Sequence, residues 1–249
     1  MSEDAPAPLI TLSVVSHGQN ALVNALCEDV ERVGCAGLSL ILTENIRDAN
    51  PLTSRRASGR VEIVANAQPK GFGANHNAAF RRCGTPYFCV CNPDIRLPAD
   101  PFPALLAALA APSNAAAGPL VRSPNGRVED SARRFPTLAT LLRKLVREAD
   151  GPDYPVDRGP VAVDWVAGMF MLFRSERFRA VGGFDERYFL YYEDVDLCRR
   201  LQAAGHDIVF QPRAEVIHDA RRGSRRDPFL MRHHAASALR FFLGAARRD

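Results

Sequence analysis

Short apolar runs alternate with segments of helical periodicity along the first half of the chain. Apolar runs with polar ends predict strands ITLSVVS at 10–16, LSLILTEN at 38–45, VEIVAN at 61–66 and YFCVCNPD at 87–94. Helical spacing of apolar positions predicts a helix at about 19–33, and a second helix opens near Ala74. Strands that alternate with helices are typical of an α/β fold with a mainly parallel central sheet.

The second half of the chain has a different character. An Ala-rich helix is predicted at 103–111 and another helix around 137–148, followed by a loop rich in Gly, Pro and Asp at 149–160. The run VDWVAGMFMLFR predicts a buried strand at 163–174, and two short strands are predicted within 207–218. The sequence contains no internal repeat, so a repeat architecture is not expected.

Polar side chains follow each predicted strand of the first half. They are Ser16, His17, Glu44, Asn45, Asn66, Asn92 and Asp94. In open parallel sheets, ligands bind just beyond the carboxyl ends of the strands. We therefore expect these polar residues to meet at one crevice.

The composition is that of a globular protein with local positive charge. The 249 residues are 47% hydrophobic and 24% charged, with a formal net charge of +4. Arginines cluster at Arg133–Arg134 and in RRGSRR at 221–226, which suits a phosphate-bearing ligand or an anionic membrane surface. A nucleic-acid-binding protein would need a broader basic face with exposed aromatic side chains, so no nucleic-acid partner is expected.

Targeting and cysteine patterns predict a cytoplasmic protein. The apolar run WVAGMFMLF at 165–173 is too short to cross a bilayer. The acidic, Pro-rich start MSEDAPAP lacks the basic start and apolar core of a signal peptide. The six cysteines form no CxxC pair, so reduced thiols are expected and a structural zinc site is not.

The segment NAQPKGFGANHNAAF at 66–80 combines a strand end, a Gly-rich turn and a helix start. Gly71 and Gly73 would let the backbone approach a ligand closely, and the helix start offers N–H groups to negative oxygen atoms. An ordinary strand-to-helix turn would look the same. The spacing matches neither the GxGxxG dinucleotide fingerprint nor the P-loop, so those two functions are disfavoured.

The tetrapeptide NPDI at 92–95 ends an apolar strand. The Asp94 carboxylate beside the Asn92 amide oxygen is a hard-ligand arrangement that suits Mg²⁺ or Mn²⁺ on a diphosphate. An Asx-turn that closes the strand is the alternative interpretation.

The segment FLYYEDVDLCRR at 189–200 sets Glu193, Asp194 and Asp196 directly after an aromatic run. Asp194 is either the N-cap of a helix or a catalytic base at the edge of a substrate cleft, and one residue can serve both roles. His218, at the end of the last predicted strand, is either a metal ligand or a core histidine.

Read in order, these motifs resemble those of the family 2 glycosyltransferases, especially their rhamnosyltransferase-like bacterial members. The ordered set is SHG, TEN, GFGANHN, NPD, WVAGMFML, GGFDE, YYEDVDLCRRLQAAG and P-x-A-x-V-x-H, with a basic segment downstream. The similarity covers about residues 9–245. It implies one GT-A domain over 1–249, with a nucleotide-sugar-binding half at 9–112, an acceptor and catalytic half at 113–227 and a C-terminal helical segment at 228–249.

The resemblance also implies an activity and a set of site residues. The activity is inverting, Mg²⁺- or Mn²⁺-dependent transfer of a sugar from a dTDP- or UDP-sugar donor to a saccharide or lipid-linked acceptor in surface polysaccharide synthesis. Donor-binding residues are Ser16, Glu44, Asn66, Gly71, Phe72, Gly73, Asn77, Asn92 and Asp94. Asp185 and Glu186 match acceptor-binding acids, Asp194 matches the base with Glu193 as its rival, and Asp94 and His218 match metal ligands.

Two departures from the family pattern weaken the expected metal site and donor contact. Asn92 replaces the first acid of the DxD motif, and Glu44 replaces the commoner Asp. An amide is a neutral, weaker ligand, so the metal would need oxygen atoms from the donor diphosphate. The alternatives to a glycosyltransferase are a non-catalytic nucleotide-sugar-binding relative and a sugar-nucleotide nucleotidyltransferase.

The C-terminal segment leaves localisation and assembly open. From Pro228 it mixes apolar residues with arginines. It either lies on the inner face of a membrane, where a lipid-linked acceptor would be, or packs against the catalytic domain or a second subunit.

Overall fold

The computed structural model describes residues 9–53, 61–137, 152–219 and 228–245. The strands are β1 (Ile10–His17), β2 (Leu38–Ile46), β3 (Val61–Ala65), β4 (Tyr87–Cys91), β5 (Ile95–Arg96), β6 (Asn114–Arg122), β7 (Ala132–Arg133), β8 (Val161–Val163), β9 (Trp165–Val166), β10 (Phe170–Arg174) and β11 (Asp207–His218). The helices are α1 (Asn20–Val33), α2 (Phe72–Phe80), α3 (Phe102–Ala108), α4 (Ser175–Ala180), α5 (Glu193–Ala203) and α6 (Pro228–Ala245).

The central sheet confirms the predicted α/β fold. Its strand order is β3-β2-β1-β4-β10-β6-β11-β5, and β8 pairs with β11 at the side. Strands β3, β2, β1 and β4 are parallel, so their carboxyl ends lie at one edge of the sheet. In the second half β11 is parallel to β6, whereas β10 runs antiparallel to both β4 and β6. A separate pair of strands, β7 and β9, lies beside this sheet.

Helix α1 shows how the sequence pattern builds the first layer. Val23, Leu26, Cys27 and Val30 recur at helical spacing and are buried, so one face of the helix packs on the sheet. The helix ends at Gly34, whose φ of 69° is a left-handed conformation that glycine adopts without strain. On the other side of the sheet, phenylalanine rings pack edge to face or tilted around Phe178.

Three segments differ from the predicted elements. The predicted strand at 163–174 is interrupted by a bend at Asp164 and by a turn at 167–169. In that turn the Gly168 N–H donates to the Asp194 side chain and not to a neighbouring strand. The two short strands expected at 207–218 form one strand, β11, with a register shift against β6 between Gln211 and Glu215. The strand predicted at 87–94 ends at Cys91.

Two predicted features lie outside the described residues. They are the helix around 137–148, apart from its first residue, and the arginine segment at 221–226. Within the part of the chain that is described, no helix is both long enough and apolar enough to cross a membrane.

Candidate functional site

A cavity of about 320 Å³ lies at the carboxyl ends of β1, β2 and β4. Its walls come from these strand ends, the Gly-rich turn, the NPD tip and the first turn of α6. The residues that line it include His17, Lys70, Phe72, Asn92, Asp94 and Leu230. The crevice expected from the polar strand ends is therefore present, and its combination of apolar surface with converging polar side chains is typical of small-ligand sites.

The glycines of the Gly-rich turn are required by the protein's own packing. A Cβ atom on Gly71 would lie 2.6 Å from the carbonyl oxygen of Phe189, and one on Gly73 would lie 2.7 Å from Cβ of Phe184. The Phe72 N–H also donates to Phe189 O at 2.9 Å. These glycines thus let the 184–189 segment approach α2 closely, a different reason from the ligand approach expected from the sequence.

An amide network fixes the loop between β3 and α2. Asn66 Nδ2 donates to Asn45 Oδ1 at 2.9 Å and to Asn75 Oδ1 at 2.6 Å. Asn45 Oδ1 also accepts from the Lys70 N–H at 2.8 Å, and Asn75 Nδ2 donates to Lys70 O at 3.1 Å. Asn66 therefore holds this loop in shape, while Asn45, Lys70 and Asn75 contribute directly to the cavity wall.

Ser16 and Glu44 lie beside one another at the ends of β1 and β2, where Ser16 pairs with Glu44 in the sheet register. The buried Ser16 hydroxyl accepts the Gln19 N–H at 3.0 Å and contacts Asn20. Glu44 Oε1 accepts from Asn20 Nδ2 at 2.8 Å. Both predicted donor residues thus take part in a polar network at the start of α1, next to the cavity wall formed by His17 and Gln19.

The NPD tip is anchored to the turn at 167–169. The Asn92 N–H donates to Met169 O at 2.9 Å, and Asn92 O accepts the Ile95 N–H at 3.3 Å. Asp94 O accepts the Asp219 N–H at 2.9 Å, which ties the tip to the end of β11. The backbone therefore holds the two side chains Asn92 and Asp94 at the cavity.

Asp94, His218 and Glu129 form a chain of charged groups. His218 Nε2 lies 3.4 Å from Asp94 Oδ2, and His218 Nδ1 lies 2.8 Å from Glu129 Oε2. Burial alone would lower the pKa of His218. The larger effect comes from the carboxylates of Asp94 and Glu129, which raise the pKa to about 9. The antiparallel pairing of β11 with β5 brings His218 opposite Ile95 and so next to Asp94.

The Asp94 side chain fits the chemistry of a divalent cation. Its Oδ1 atom is buried and has no hydrogen-bond partner, which is costly for a carboxylate oxygen unless a cation is bound there. Within the described ranges, no cluster of three or more His, Cys, Asp or Glu side chains is arranged to hold a metal. Mg²⁺ is commonly held by one or two protein carboxylates together with substrate phosphates, so the Asp94 carboxylate is an adequate protein share. His218 would bind the cation only in its neutral form, after losing the proton that its raised pKa retains.

Asp194 lies in the first turn of α5, and backbone N–H groups bind both of its carboxylate oxygens. Oδ2 accepts the Gly168 N–H and Oδ1 accepts the Val195 N–H, each at 2.8 Å. A Cβ atom on Gly168 would lie 3.4 Å from both Asp194 Oδ2 and Phe72 Cζ, so these groups meet at one point. Asp194 is thus held behind Phe72, which lines the cavity.

Glu193 and Asp194 share one buried environment but differ in their partners. Burial raises the pKa of Asp194, and the N–H groups of Gly168 and Val195 oppose that shift. Burial and the adjacent Asp194 charge raise the pKa of Glu193 well above its usual value. Glu193 Oε2 is buried with no hydrogen-bond partner. The N–H groups around Asp194 favour its ionised form, whereas Glu193 lacks such partners for Oε2, so ionisation of the pair is easier at Asp194.

The two residues before this pair have an unusual backbone. Tyr191 and Tyr192 have φ values of 70° and 66°, in the left-handed region that side chains other than Gly, Asn and Asp rarely adopt. Such residues cost about 1 to 3 kcal/mol each and persist only where surrounding contacts hold them. Helix α6 supplies those contacts, because Ser237 Oγ donates to Leu190 O at 2.9 Å and His234 packs against both tyrosine rings.

Asn77, Asp185 and Glu186 lie away from the cavity. Asn77 Nδ2 donates to Phe184 O at 2.9 Å and to Glu186 Oε1 at 3.0 Å, and its Oδ1 accepts the Phe184 N–H at 2.9 Å. Asp185 pairs with Arg187, and hydrogen bonds from that guanidinium lower the pKa of Asp185. Asn77 therefore acts as a clip between α2 and the GGFDE segment, and the structure doesn't bring it to the residues of the donor cavity.

Sequence reasoning missed several residues that build the site. Asn45 was expected at the crevice as a polar strand end, but its role as the acceptor for Asn66 and the Lys70 N–H was not foreseen. Glu129 had no signal in the sequence, because its pairing with His218 joins residues far apart in the chain. The role of Gly168 as a donor to Asp194 and the contribution of Leu230 to the cavity also depend on long-range packing.

Comparisons of the sequence identify its relatives. A family profile described as "Glycosyltransferase like family 2" matches residues 43–235. The chain is 32% identical over 266 residues to the N-acetylglucosaminyl-diphospho-decaprenol L-rhamnosyltransferase of Mycobacterium tuberculosis, covering 96% of this chain and 84% of that protein. It is 32% identical over 230 residues to the rhamnosyltransferase WbbL of Escherichia coli strain K12, covering 87% of this chain and 86% of that protein.

Solved structures show the same fold at low sequence identity. GalNAc-T7, solved with UDP, GalNAc and Mn²⁺, superposes with a TM-score of 0.63 at 14% identity over 88% of this chain and 45% of that chain. The mannosyltransferase PcManGT from Pyrobaculum calidifontis, solved with GDP-Man and Mn²⁺, gives 0.61 at 18% identity over 94% of this chain and 65% of that chain. Both neighbours are GT-A glycosyltransferases, so the expected GT-A fold is confirmed.

Proposed function

This chain belongs to glycosyltransferase family 2, and from that premise we propose that it is an inverting, metal-dependent rhamnosyltransferase. Its donor would be a nucleoside diphosphate-rhamnose, with the dTDP form expected first. Its acceptor would be a lipid-linked saccharide of the kind used to assemble surface polysaccharides. The names of the two 32%-identical relatives support rhamnose, and one of them also supports a lipid-diphosphate acceptor.

The observation that carries this proposal is the turn at 167–169. Its Met169 carbonyl accepts a hydrogen bond from the NPD tip, and its Gly168 N–H donates to Asp194. One short turn thus connects the candidate diphosphate-binding residues with the candidate base. Transfer with inversion needs a base and a leaving-group site on opposite sides of the sugar carbon, held at a fixed separation.

The charge distribution suits the two halves of this reaction. Asp194 carries the negative charge of the acid pair and accepts the proton of the acceptor hydroxyl as that oxygen attacks the sugar carbon. Neutral Glu193 beside it removes the repulsion that a second carboxylate would cause. Asp94 and His218 would hold a divalent cation, which when bound supplies positive charge to the departing diphosphate.

The remaining cavity residues suit binding of the donor. Lys70 lies on one wall, and its ammonium group is of the kind that attracts phosphate oxygen atoms. Glu44 and Ser16 lie beyond His17, where the base and ribose would extend. The amide network of Asn45, Asn66 and Asn75 keeps this wall rigid, so donor binding does not have to order it.

A donor panel tests the proposal. Purified protein is mixed with a lipid-diphosphate N-acetylglucosamine acceptor and, in turn, dTDP-rhamnose, UDP-sugars and GDP-mannose, and release of the nucleoside diphosphate is measured with Mn²⁺, Mg²⁺ or chelator. We expect acceptor-dependent release from dTDP-rhamnose that chelator abolishes. NMR of the product should give the anomer opposite to that of the donor. A different preferred donor, chelator-resistant turnover or retention at the anomeric carbon would each reject the corresponding part of the proposal.

A further inference from the structure

Helix α6 exposes a continuous apolar stripe. Met231, Leu239 and Leu243 are 60%, 62% and 58% exposed, and Ala235 is exposed between them. These positions recur every four residues, so they lie along one side of the helix. Exposed apolar side chains are normal singly, but an aligned set marks an interaction surface.

The opposite side of α6 is already occupied by the protein. Ser237, Ala238 and Phe241 are buried, and the Arg199 guanidinium lies 4.1 Å from the centre of the Phe241 ring. His233 stacks on Phe189 with ring centres 4.6 Å apart. The exposed stripe is therefore additional to the core-facing side of α6, because a different side of this helix packs on the segment before α5.

The positive charge near the stripe favours a negatively charged partner. Arg232 and Arg240 are exposed on the same helix. In residues 220–249 the sequence has eight arginines and two aspartates, with no lysine or glutamate. A second copy of this chain would bring the same positive charge to a two-fold contact, so repulsion disfavours a dimer through this face. An apolar surface with a negative outer layer is the complementary partner.

We propose that the stripe of Met231, Ala235, Leu239 and Leu243 docks on an anionic phospholipid surface, with the neighbouring arginines binding lipid phosphates. This inference deepens the proposed function, since it gives the surface by which the enzyme would reach a lipid-linked acceptor. Leu230, on the same helix, lines the cavity. Docking through α6 would therefore bring an element of the cavity wall to the membrane surface.

Co-sedimentation with vesicles tests this surface without donor or acceptor. The full chain is mixed with vesicles of phosphatidylcholine alone or with about one third phosphatidylglycerol. We expect binding to the anionic vesicles only, and at least about a tenfold weaker partition for the double variant Leu239→Glu/Leu243→Glu, which places two acids in the stripe. Ile63→Glu is the matched control, because Ile63 is 47% exposed and lies on the edge strand β3 and not on α6. It should bind like the wild type.

Further measurements keep the inference falsifiable. Arg232→Glu leaves the apolar stripe intact and should also weaken binding, and salt raised from about 0.1 M to about 0.5 M should reduce wild-type binding. Light scattering reports the oligomeric state of each variant. Equal binding to neutral vesicles, unchanged binding of the double variant, or a dimer that the double variant dissociates would overturn the inference. A wrong donor or acceptor in the function assay would leave these vesicle results unaffected.

Discussion

Replacing Asp194 with asparagine separates the two roles of this residue. The amide keeps the size of the side chain and one oxygen that can accept a backbone N–H. It cannot take a proton from an acceptor hydroxyl. We therefore expect sugar transfer to fall while the first turn of α5 and the donor cavity keep their structure.

The structure sets the size of both effects. Loss of a general base lowers the rate by about 10²- to 10⁴-fold, or about 3 to 5 kcal/mol in the barrier. Asp194 accepts one N–H on each oxygen, from Gly168 and Val195. In the asparagine variant one of these two N–H groups would face the side-chain NH₂ group and lose its hydrogen bond, which costs about 1 to 3 kcal/mol. Removing a buried charge offsets part of that cost, so we expect the free energy of unfolding to change by less than about 2 kcal/mol.

Single-turnover transfer and calorimetric donor binding measure these quantities in parallel. Glu193→Gln is the matched control, because burial raises the pKa of Glu193 and keeps it neutral, and glutamine resembles a neutral acid. We expect it to retain transfer within about threefold. Near-normal transfer by Asp194→Asn, or a large loss confined to Glu193→Gln, would refute the assignment of the base.

The remaining predictions concern stability, the metal and the clip. Burial raises the pKa of Glu193 in the folded protein. The free energy of unfolding of the wild type is therefore highest below the unfolded pKa near 4.5, and it falls as the pH rises towards the folded pKa. Urea titrations should therefore show Glu193→Gln gaining stability relative to wild type as the pH rises above the unfolded value, and a flat difference would mean that the folded state does not raise the pKa of Glu193. Gly71→Ala should lose about 1 to 3 kcal/mol in thermal unfolding, because its Cβ would lie 2.6 Å from a backbone oxygen. Gly84→Ala, with nothing within 4 Å of the new Cβ, should be near neutral, and equal losses would remove the steric argument. Asp94→Ala should reduce the Mn²⁺-dependent gain in nucleoside diphosphate affinity at least about tenfold in calorimetry, and an unchanged gain would take Asp94 out of the site. Asn77→Ala should cost about 1 to 3 kcal/mol of stability and leave nucleoside diphosphate affinity unchanged, whereas weaker binding would return Asn77 to the donor site.

The sequence predicted the local elements and the position of the cavity well. Alternating apolar and polar runs gave β1 to β4 and α1 within a few residues, because each pattern is local and has a definite period. Polar strand ends at His17, Asn45 and Asp94 located the crevice, since parallel strands end at a common edge.

Features that depend on long-range pairing could not be predicted in the same way. The insertion of β10 between β4 and β6 joins segments far apart in the chain. Gly71 and Gly73 were correctly noticed, but only the approach of the 184–189 segment explains them. Asn77 lies in the same motif as the cavity residues, yet the helix turns its side chain towards Phe184. The sequence spacing alone cannot show whether a residue of α2 faces the cavity or the 184–189 segment, because the position of that segment is not known from the sequence.

The left-handed backbone at Tyr191 and Tyr192 has a consequence for the order of biosynthesis. Its stabilising helix α6 begins at Pro228, 35 residues after Glu193 (228 − 193 = 35). At about 5 to 20 residues per second, translation takes roughly 2 to 7 seconds to cross that distance. At the start of this interval the emerging chain contains the acids of α5 but neither His218 nor the helix that holds the tyrosines. We therefore expect the tyrosine backbone to be held in this conformation only after α6 has left the ribosome, so nascent chains contain the acids of α5 before that support is present.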